Sequence, residues 1–518
     1  MKSSGRRGGY VDFRTSLALV GSVAKLLALA PLFPLVVAIY YDESLHPFLV
    51  ATAVMVVVGL VLERLHPDPA PDLGHREAFL LVSLTWLVVP VLGTIPYLVA
   101  GQGTVAHPVN ALFESMSGFT TTGATALREI SFDRHSRSIL MWRQLTQWLG
   151  GMGIIVLMVA ILPKLSVGGA QLIEEEAPGF AIDKLTPRIQ ETARVLWLLY
   201  AAFTVVAGLT FYSLHLVGFA PNMDVFNAVA HALTTLPTGG FSPEARSIEA
   251  FSPVVQWAVI PFMLIAGVNF ALYWHVIRGN YRQLIDNEEF RTYLLVTGAI
   301  GGLLAVLLYT GAGLAQTAPQ LGVLAGNVEN ALRQAAFQAV AIVTTTGYAS
   351  MDFNTWDQSA QTILLLAMFF GGSAGSAAGS IKMIRWYVIW RSISRELFTS
   401  VHPEAVRPIR FAGEAVEERA IRSLLVFTLL FMLIFALSTV LIFLDGLRAG
   451  PPLSALEAMS VAIATLGNIG PGVGIIGPMN SYAALSNATK LYLVFLMWIG
   501  RLEIISVLVI LSPDYWKR

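Results

Sequence analysis

Along the chain, apolar runs of about twenty residues alternate with short polar or Pro/Gly-rich clusters. A run of this length, at the helical rise of about 1.5 Å per residue, matches the hydrocarbon core of a bilayer. The runs predict membrane-spanning helices at roughly 16–41, 47–63, 77–100, 137–163, 190–218, 252–277, 291–315, 358–390, 421–445 and 488–512. Four further apolar segments, near 108–119, 224–235, 328–343 and 453–465, are each about a dozen residues long. That is too short to cross alone and predicts re-entrant half-helices. Each half-helix runs into a strip rich in Thr or Gly: "FTTTGATA" at 119–126, "LTTLPTGGFS" at 233–242, "VTTTGYAS" at 343–350 and "IATLGNIGPG" at 463–472.

The strips repeat. Aligned on a glycine followed by Ala, Phe, Tyr or Pro, they select Gly123, Gly240, Gly347 and Gly470, at spacings of 117, 107 and 123 residues. The stretches "FESMSGFTTTG" and "FQAVAIVTTTG" have equal length. Repetition at a near-fixed period means one supersecondary unit used several times. The predicted architecture is an all-α polytopic membrane protein. A helix pair at 1–70 precedes four pseudo-symmetric span–half-helix–strip–span units, at 71–187, 188–286, 287–412 and 413–518, around one pore.

Composition agrees: 518 residues, 55% hydrophobic and only 13% charged, with no cysteine. This excludes a soluble domain, disulfides and thiolate metal sites. The net charge of zero is uninformative, but the placement of the 33 Lys and Arg is not. With the N-terminus inside, 23 lie on inner segments and seven on outer ones: Arg128, Arg134, Arg137, Arg246, Arg333, Arg448 and Lys490. Lys25, Arg143 and Arg501 fall within spans. The positive-inside bias predicts cytoplasmic termini and puts all four strips on the outer side. The basic N-terminus before a long apolar run reads as a retained helix, not a cleaved signal.

Non-helical backbone at membrane depth is tolerated where it lines a watery cavity. Four strips meeting at an axis would line one, and their carbonyls could replace a cation's hydration shell. The residues expected to do so are Thr121, Thr122 and Gly123; Thr238, Gly239 and Gly240; Thr345, Thr346 and Gly347; and Asn468, Ile469 and Gly470. Glycine suits carbonyls that must all point inward, because that geometry includes positive φ. Threonine is stiff and favours extended backbone. The C-terminal end of each half-helix adds partial negative charge below the strip.

At these residues the chain resembles the TrkH/TrkG branch of the bacterial and archaeal potassium-uptake superfamily, which also contains KtrB. "WLGGMGIIVLMVAILP" at 148–163, "TGGFS" at 238–242, "GGSAGSAAGSIKMIR" at 371–385 and "GRLEI" at 500–504 are similar to motifs of that family at corresponding places. The opening helix pair is also a feature of it. The resemblance covers nearly the whole chain. It implies K⁺ uptake across the plasma (cytoplasmic, inner) membrane, with K⁺ the transported ion, held by backbone carbonyls of the strips. It implies a homodimer with one path per subunit, embedded in the lipid bilayer. It also implies a cytoplasmic ring of TrkA-type subunits that carries the nucleotide site, for which inner loops near 174 and at 391–420 are candidate contact surfaces. No nucleotide fingerprint occurs in this chain, and no nucleic-acid partner is expected. The strips are unequal, with Pro237 and a double glycine in unit two and "GNIGPG" in unit four. A Na⁺-permeable or Na⁺/H⁺-coupled cation transporter of the same fold therefore stays open.

"GGSAGSAAGS" at 371–380 falls mid-span in unit three. Close helix packing through small residues is one reading. Ten consecutive Gly, Ala and Ser residues are also poor helix material. The sharper expectation is a broken helix whose loop, with Gly371, Gly372, Ser373, Gly375, Ser376 and Gly379, lies under the filter as a gate. Arg501 falls about midway through the last span, where a charge is costly unless it faces a cavity or partner. It is expected to line the pore and to contact the unit-three loop; the resemblance implies a pore arginine at this place. Asp224 is expected to cap a half-helix. Glu114 and Glu457 are expected to begin half-helices, His231 to pack, and Arg143, Gln144 and Gln147 to bond between helices. An intramembrane hydrolase at Ser373 or Ser376 is the reading from another class. It lacks a base within 371–380, and the only His near mid-span, His231, lies beside a strip.

Overall fold

The computed structural model describes residues 11, 13–65, 75–153, 189–315 and 321–516. It is helical throughout, apart from one two-stranded hairpin, Arg410–Phe411 with Glu414–Ala415. The opening pair is Phe13–Tyr40, interrupted around Pro31, and His46–Glu63. Gly21 and Gly59 let the two backbones touch: a β-carbon on Gly21 would lie 2.7 Å from the Gly59 carbonyl oxygen. Between bilayer-facing helices, where lipid is as apolar as leucine, such small-residue contacts supply the packing.

Four copies of the same arrangement follow. Each first helix is long: 75–100 with a step at Thr94, then Ile189–Leu216, Glu288–Thr310 and Glu418–Ala449. The half-helices are Pro108–Phe119, Val225–Thr235, Val328–Val343 and Ala455–Leu466. Each starts at a side-chain cap, from His107, Asp224, Asn327 and Ser454. A cap satisfies an amide of the first turn that has no partner within the helix. The expectation for Asp224 holds, and Glu457 completes a capping box with Ser454. The second helices start at Arg137, Pro253, Gln358 and Asn487.

Among the described residues, six helices are long and apolar enough to span as continuous elements. Two further expected spans are sharply bent: Pro253–Ala266 with Phe270–Ile277 at 97°, and Asn487–Arg501 with Ile505–Leu511 at 115°. The predicted straight spans at 252–277 and 488–512 are thus corrected to broken ones. A hydropathy run records apolarity, not direction, and neither break carries a Gly/Pro cluster. The last expected pair is interrupted as well. In unit three Gln358–Ala367 stops before the small-residue run and Met383–Val401 resumes after it. In unit one Arg137–Gly151 ends at Met152, and the predicted continuation to 163 and the 174 loop lie outside the described residues.

Candidate functional site

The strips adopt one backbone conformation four times. Thr121 and Gly123 have φ of 52° and 80°, Thr238 and Gly240 55° and 74°, Thr345 and Gly347 57° and 71°, and Asn468 and Gly470 53° and 100°. A left-handed residue, an ordinary one, then a left-handed glycine turns successive carbonyls toward the same side. Three threonines and an asparagine accept a conformation that costs a non-glycine residue of order 1 kcal/mol. The sequence reading anticipated it for the glycines only.

The strips close into a ring. A β-carbon built on Gly123 would lie 2.2 Å from the carbonyl oxygen of Gly239. One on Gly240 would meet the Thr346 oxygen at 1.8 Å, one on Gly347 the Ile469 oxygen at 1.9 Å, and one on Gly470 the Thr122 oxygen at 2.5 Å. Each glycine thus faces the carbonyl just before the next unit's glycine, and the fourth returns to the first. The twelve strip residues selected from sequence are brought together here, and all four glycines line one open cavity.

Side chains hold the ring from behind. Arg143, buried in the second helix of unit one, pairs with fully buried Glu114 at 2.5 Å and donates to the Ser242 carbonyl at 2.8 Å. Its guanidinium lies 3.6 Å from the centre of the Phe241 ring. Glu114 also accepts from the Ala126 amide at 2.7 Å and the Thr125 hydroxyl at 3.0 Å. Glu114 therefore does not open its half-helix: it sits in the interior of Pro108–Phe119 and anchors the outgoing strip. Gln147 bonds across to strip two. The third member of the expected set fails, since buried Gln144 makes no side-chain hydrogen bond among the described residues. His231 packs as expected, bonded to the Asn227 carbonyl and the Ser242 hydroxyl.

Directly below lies the segment 368–382. Its neck is closed by Gly371 N donating to Ile381 O at 2.9 Å, Met383 N to Gly372 O at 3.0 Å, and Ser380 Oγ to Met368 O at 2.6 Å. Beside the neck, Gly379 touches the inner ends of two strips. Gly379 N donates to the Thr345 hydroxyl at 2.7 Å, and a β-carbon on Gly379 would stand 2.5 Å from the Gly467 carbonyl. The segment also docks on the unit-two break, with Ser373 N donating to Gly267 O at 2.8 Å and Phe270 N to Gly375 O at 3.2 Å. Ser376 gives its hydroxyl to the Ser373 carbonyl.

Arg501 is the last residue of its helix segment, at the 115° break rather than midway along a continuous span. Its guanidinium donates to Ala377 O of the loop at 2.8 Å and to Gly150 O and Gly151 O of unit one at 3.0 and 3.2 Å. One side chain thus ties units one, three and four together below the ring. The break is held by two residues at positive φ, Glu503 and Ile504. Glu503 forms a largely buried ion pair with Arg385, at the start of the helix that leaves the loop. Glu289 was not legible in sequence. Its carboxylate accepts from Ala374 N at 2.7 Å and Ile384 N at 3.1 Å, gripping the loop and the helix that leaves it.

A polytopic helical chain with four re-entrant strips closed into one ring of carbonyls defines a membrane pore of the cation-conducting class. Comparison with known proteins agrees with this class. Residues 47–518 match the TrkH family model, described as a cation transport protein, and the chain belongs to that family. It is 34% identical over 512 residues to the Trk system potassium uptake protein TrkH of Escherichia coli K12, covering 98% of this chain and all of that one. To TrkG of the same organism it is 31% identical over 503 residues, covering 96% and 98%. The crystal structure of the potassium transporter TrkH from Vibrio parahaemolyticus superposes with a TM-score of 0.81 at 31% identity, covering 98% of this chain and 100% of that one.

Proposed function

We propose that this chain is the pore-forming subunit of a K⁺-uptake system in the plasma membrane, with both termini cytoplasmic. The observation that carries the reading is the closed ring of Thr122, Gly239, Thr346 and Ile469 carbonyls against the four glycines. In this reading K⁺ enters from the outer cavity, exchanges water for strip carbonyls, and meets the loop and Arg501 below. The residues assigned to the filter are the twelve from Thr121 to Gly470 named above. Gly371, Gly372, Ser373, Gly375, Ser376, Gly379 and Arg501 are assigned to the gate. Support for the gate is the loop's position under strips three and four and its tie to Arg501. A cation there repels an ion descending from the ring, so opening requires the arginine and the loop to part. The same reading includes a homodimer and a separate cytoplasmic nucleotide-binding ring. The hydroxyls of Ser376 and Ser380 bond backbone carbonyls of the loop rather than serving as nucleophiles, and the chain is not an enzyme.

The test is K⁺ and Na⁺ flux into liposomes holding the purified chain, at a set membrane potential. K⁺ flux that follows the potential and exceeds Na⁺ flux supports the pore. Equal fluxes favour the Na⁺-permeable reading, for which the inequality of the strips speaks. Arg501→Ala should raise flux about tenfold, because at least one charge-assisted bond to the loop is lost; unchanged flux would remove Arg501 from the gate.

A further inference from the structure

We infer that Gln147, on the second helix of unit one, is a selectivity-determining residue of the strip in unit two; the inference rests on the pore reading above. At the ring level the strips present Thr122, Gly239, Thr346 and Ile469. Only Gly239 has no side chain. The space that a side chain would fill there is taken by Gln147. A β-carbon on Gly239 would meet its Cδ and Oε1 at 2.3 Å and its Nε2 at 2.8 Å. Gln147 is fully buried and makes two bonds. Nε2 donates to the Gly239 carbonyl at 2.6 Å, and Oε1 accepts from the Phe241 amide at 3.0 Å. The amide's orientation is settled by chemistry: a backbone N–H only donates and a carbonyl only accepts.

Two consequences follow for an ion at this level. The bonds bracket Gly240, whose φ is 74°, and so clamp the one strip that has no side chain of its own at this level. The Gly239 oxygen also shares electron density with Nε2–H, so it is a weaker and less mobile ligand than its three counterparts. Among the described residues no side chain donates to the carbonyls of Thr122, Thr346 or Ile469. A small ion requires ring oxygens to move inward, whereas a larger one is met by oxygens held back. Tethering the Gly239 oxygen from behind therefore disfavours Na⁺ relative to K⁺.

The experiment compares K⁺/Na⁺ permeability ratios of the full-length chain in liposomes for wild type, Gln147→Met, Gln147→Glu and Gly123→Ser. Met removes both bonds at similar volume. Glu keeps the acceptor for Phe241 N–H and loses the donor to Gly239. The expected result is a fall of about three- to tenfold in the ratio for Q147M, the range one neutral hydrogen bond supplies. Q147E should fall as well, with K⁺ flux retained in both. A ratio within twofold of wild type in the Gln147 variants, with Gly123→Ser shifting it, overturns the Gln147 assignment and leaves the ring as the filter. Unchanged ratios in all three variants overturn the pore reading itself. If Q147M does not purify as a monodisperse species, Q147E decides; loss of folding in both would make Gln147 a structural residue and overturn the assignment.

Discussion

In strips one and three a pair of threonine hydroxyls meets within the strip, Thr120 with Thr122 and Thr344 with Thr346, each at 2.7 Å. In strips two and four the corresponding support comes from elsewhere. Strip two is held by Gln147 and Arg143 of unit one. Strip four is held by the Asn468 amide, which donates to the Thr122 hydroxyl and the Met497 carbonyl, and by Tyr482, whose hydroxyl donates to the Gly470 carbonyl. Yet all four strips have the same pair of left-handed residues at the same places. The backbone geometry is the common requirement, and side chains meet it either locally or across a unit boundary. The local solution leaves a repeated motif in the sequence; the borrowed one does not.

The sharpest way to break the symmetry is at the ring itself. Gly240→Ala puts a methyl 1.8 Å from the Thr346 carbonyl and forces an alanine to positive φ. K⁺ flux in liposomes should be abolished. Gly470→Ala, with 2.5 Å to the Thr122 oxygen, should retain more of it. Equal flux from Gly240→Ala and wild type would mean that the ring is not the path.

The next effect tests the borrowed support. Arg143→Met leaves Glu114 buried and unpaired, which costs about 3–5 kcal/mol, read as a fall in melting temperature of the detergent-solubilised protein. Adding Glu114→Gln should recover part of that loss, because the uncompensated charge goes. An additive double variant would show that the pair does not act as a unit.

The smallest effect tests the local support. Thr120→Val removes both hydrogen bonds of that hydroxyl, to the Met116 carbonyl and with the Thr122 hydroxyl, and should cost about 2 kcal/mol. Thr344→Val should match it in strip three. Unequal losses would show that the two strips, alike in sequence, are supported differently by their surroundings.

What could be read from the chain follows the same division. The four half-helices were legible because short apolar runs, a cap such as Asp224, and Thr/Gly strips are all local signals. The interruption in unit three was legible because ten small residues are a compositional event. The breaks in units two and four were not. At Gly267–Asn269 and Leu502–Ile504 single polar residues, Asn269 and Glu503, interrupt long apolar runs without any Gly/Pro cluster, and the turns are held by contacts with unit three: Gly267 O with Ser373 N, and Glu503 with Arg385. A β-branched residue at positive φ, as at Ile504, is opposed by its own sterics.

Sequence by itself therefore determined the class of protein and the order of its four half-helices and the strips that follow them, but not the breaks in units two and four. Periodicity, run length and charge placement are properties of neighbouring residues, and they act before the chain is packed. Tertiary structure alone decided that each strip's glycine faces the carbonyl of the next strip, that Gln147 fills the place of a missing side chain, and that Arg501 ends a helix instead of interrupting one. These contacts join residues as far apart as Arg501 and Gly150, 351 positions along the chain. Their energy exists only once the units have closed around a common axis, so no local pattern is required to announce them.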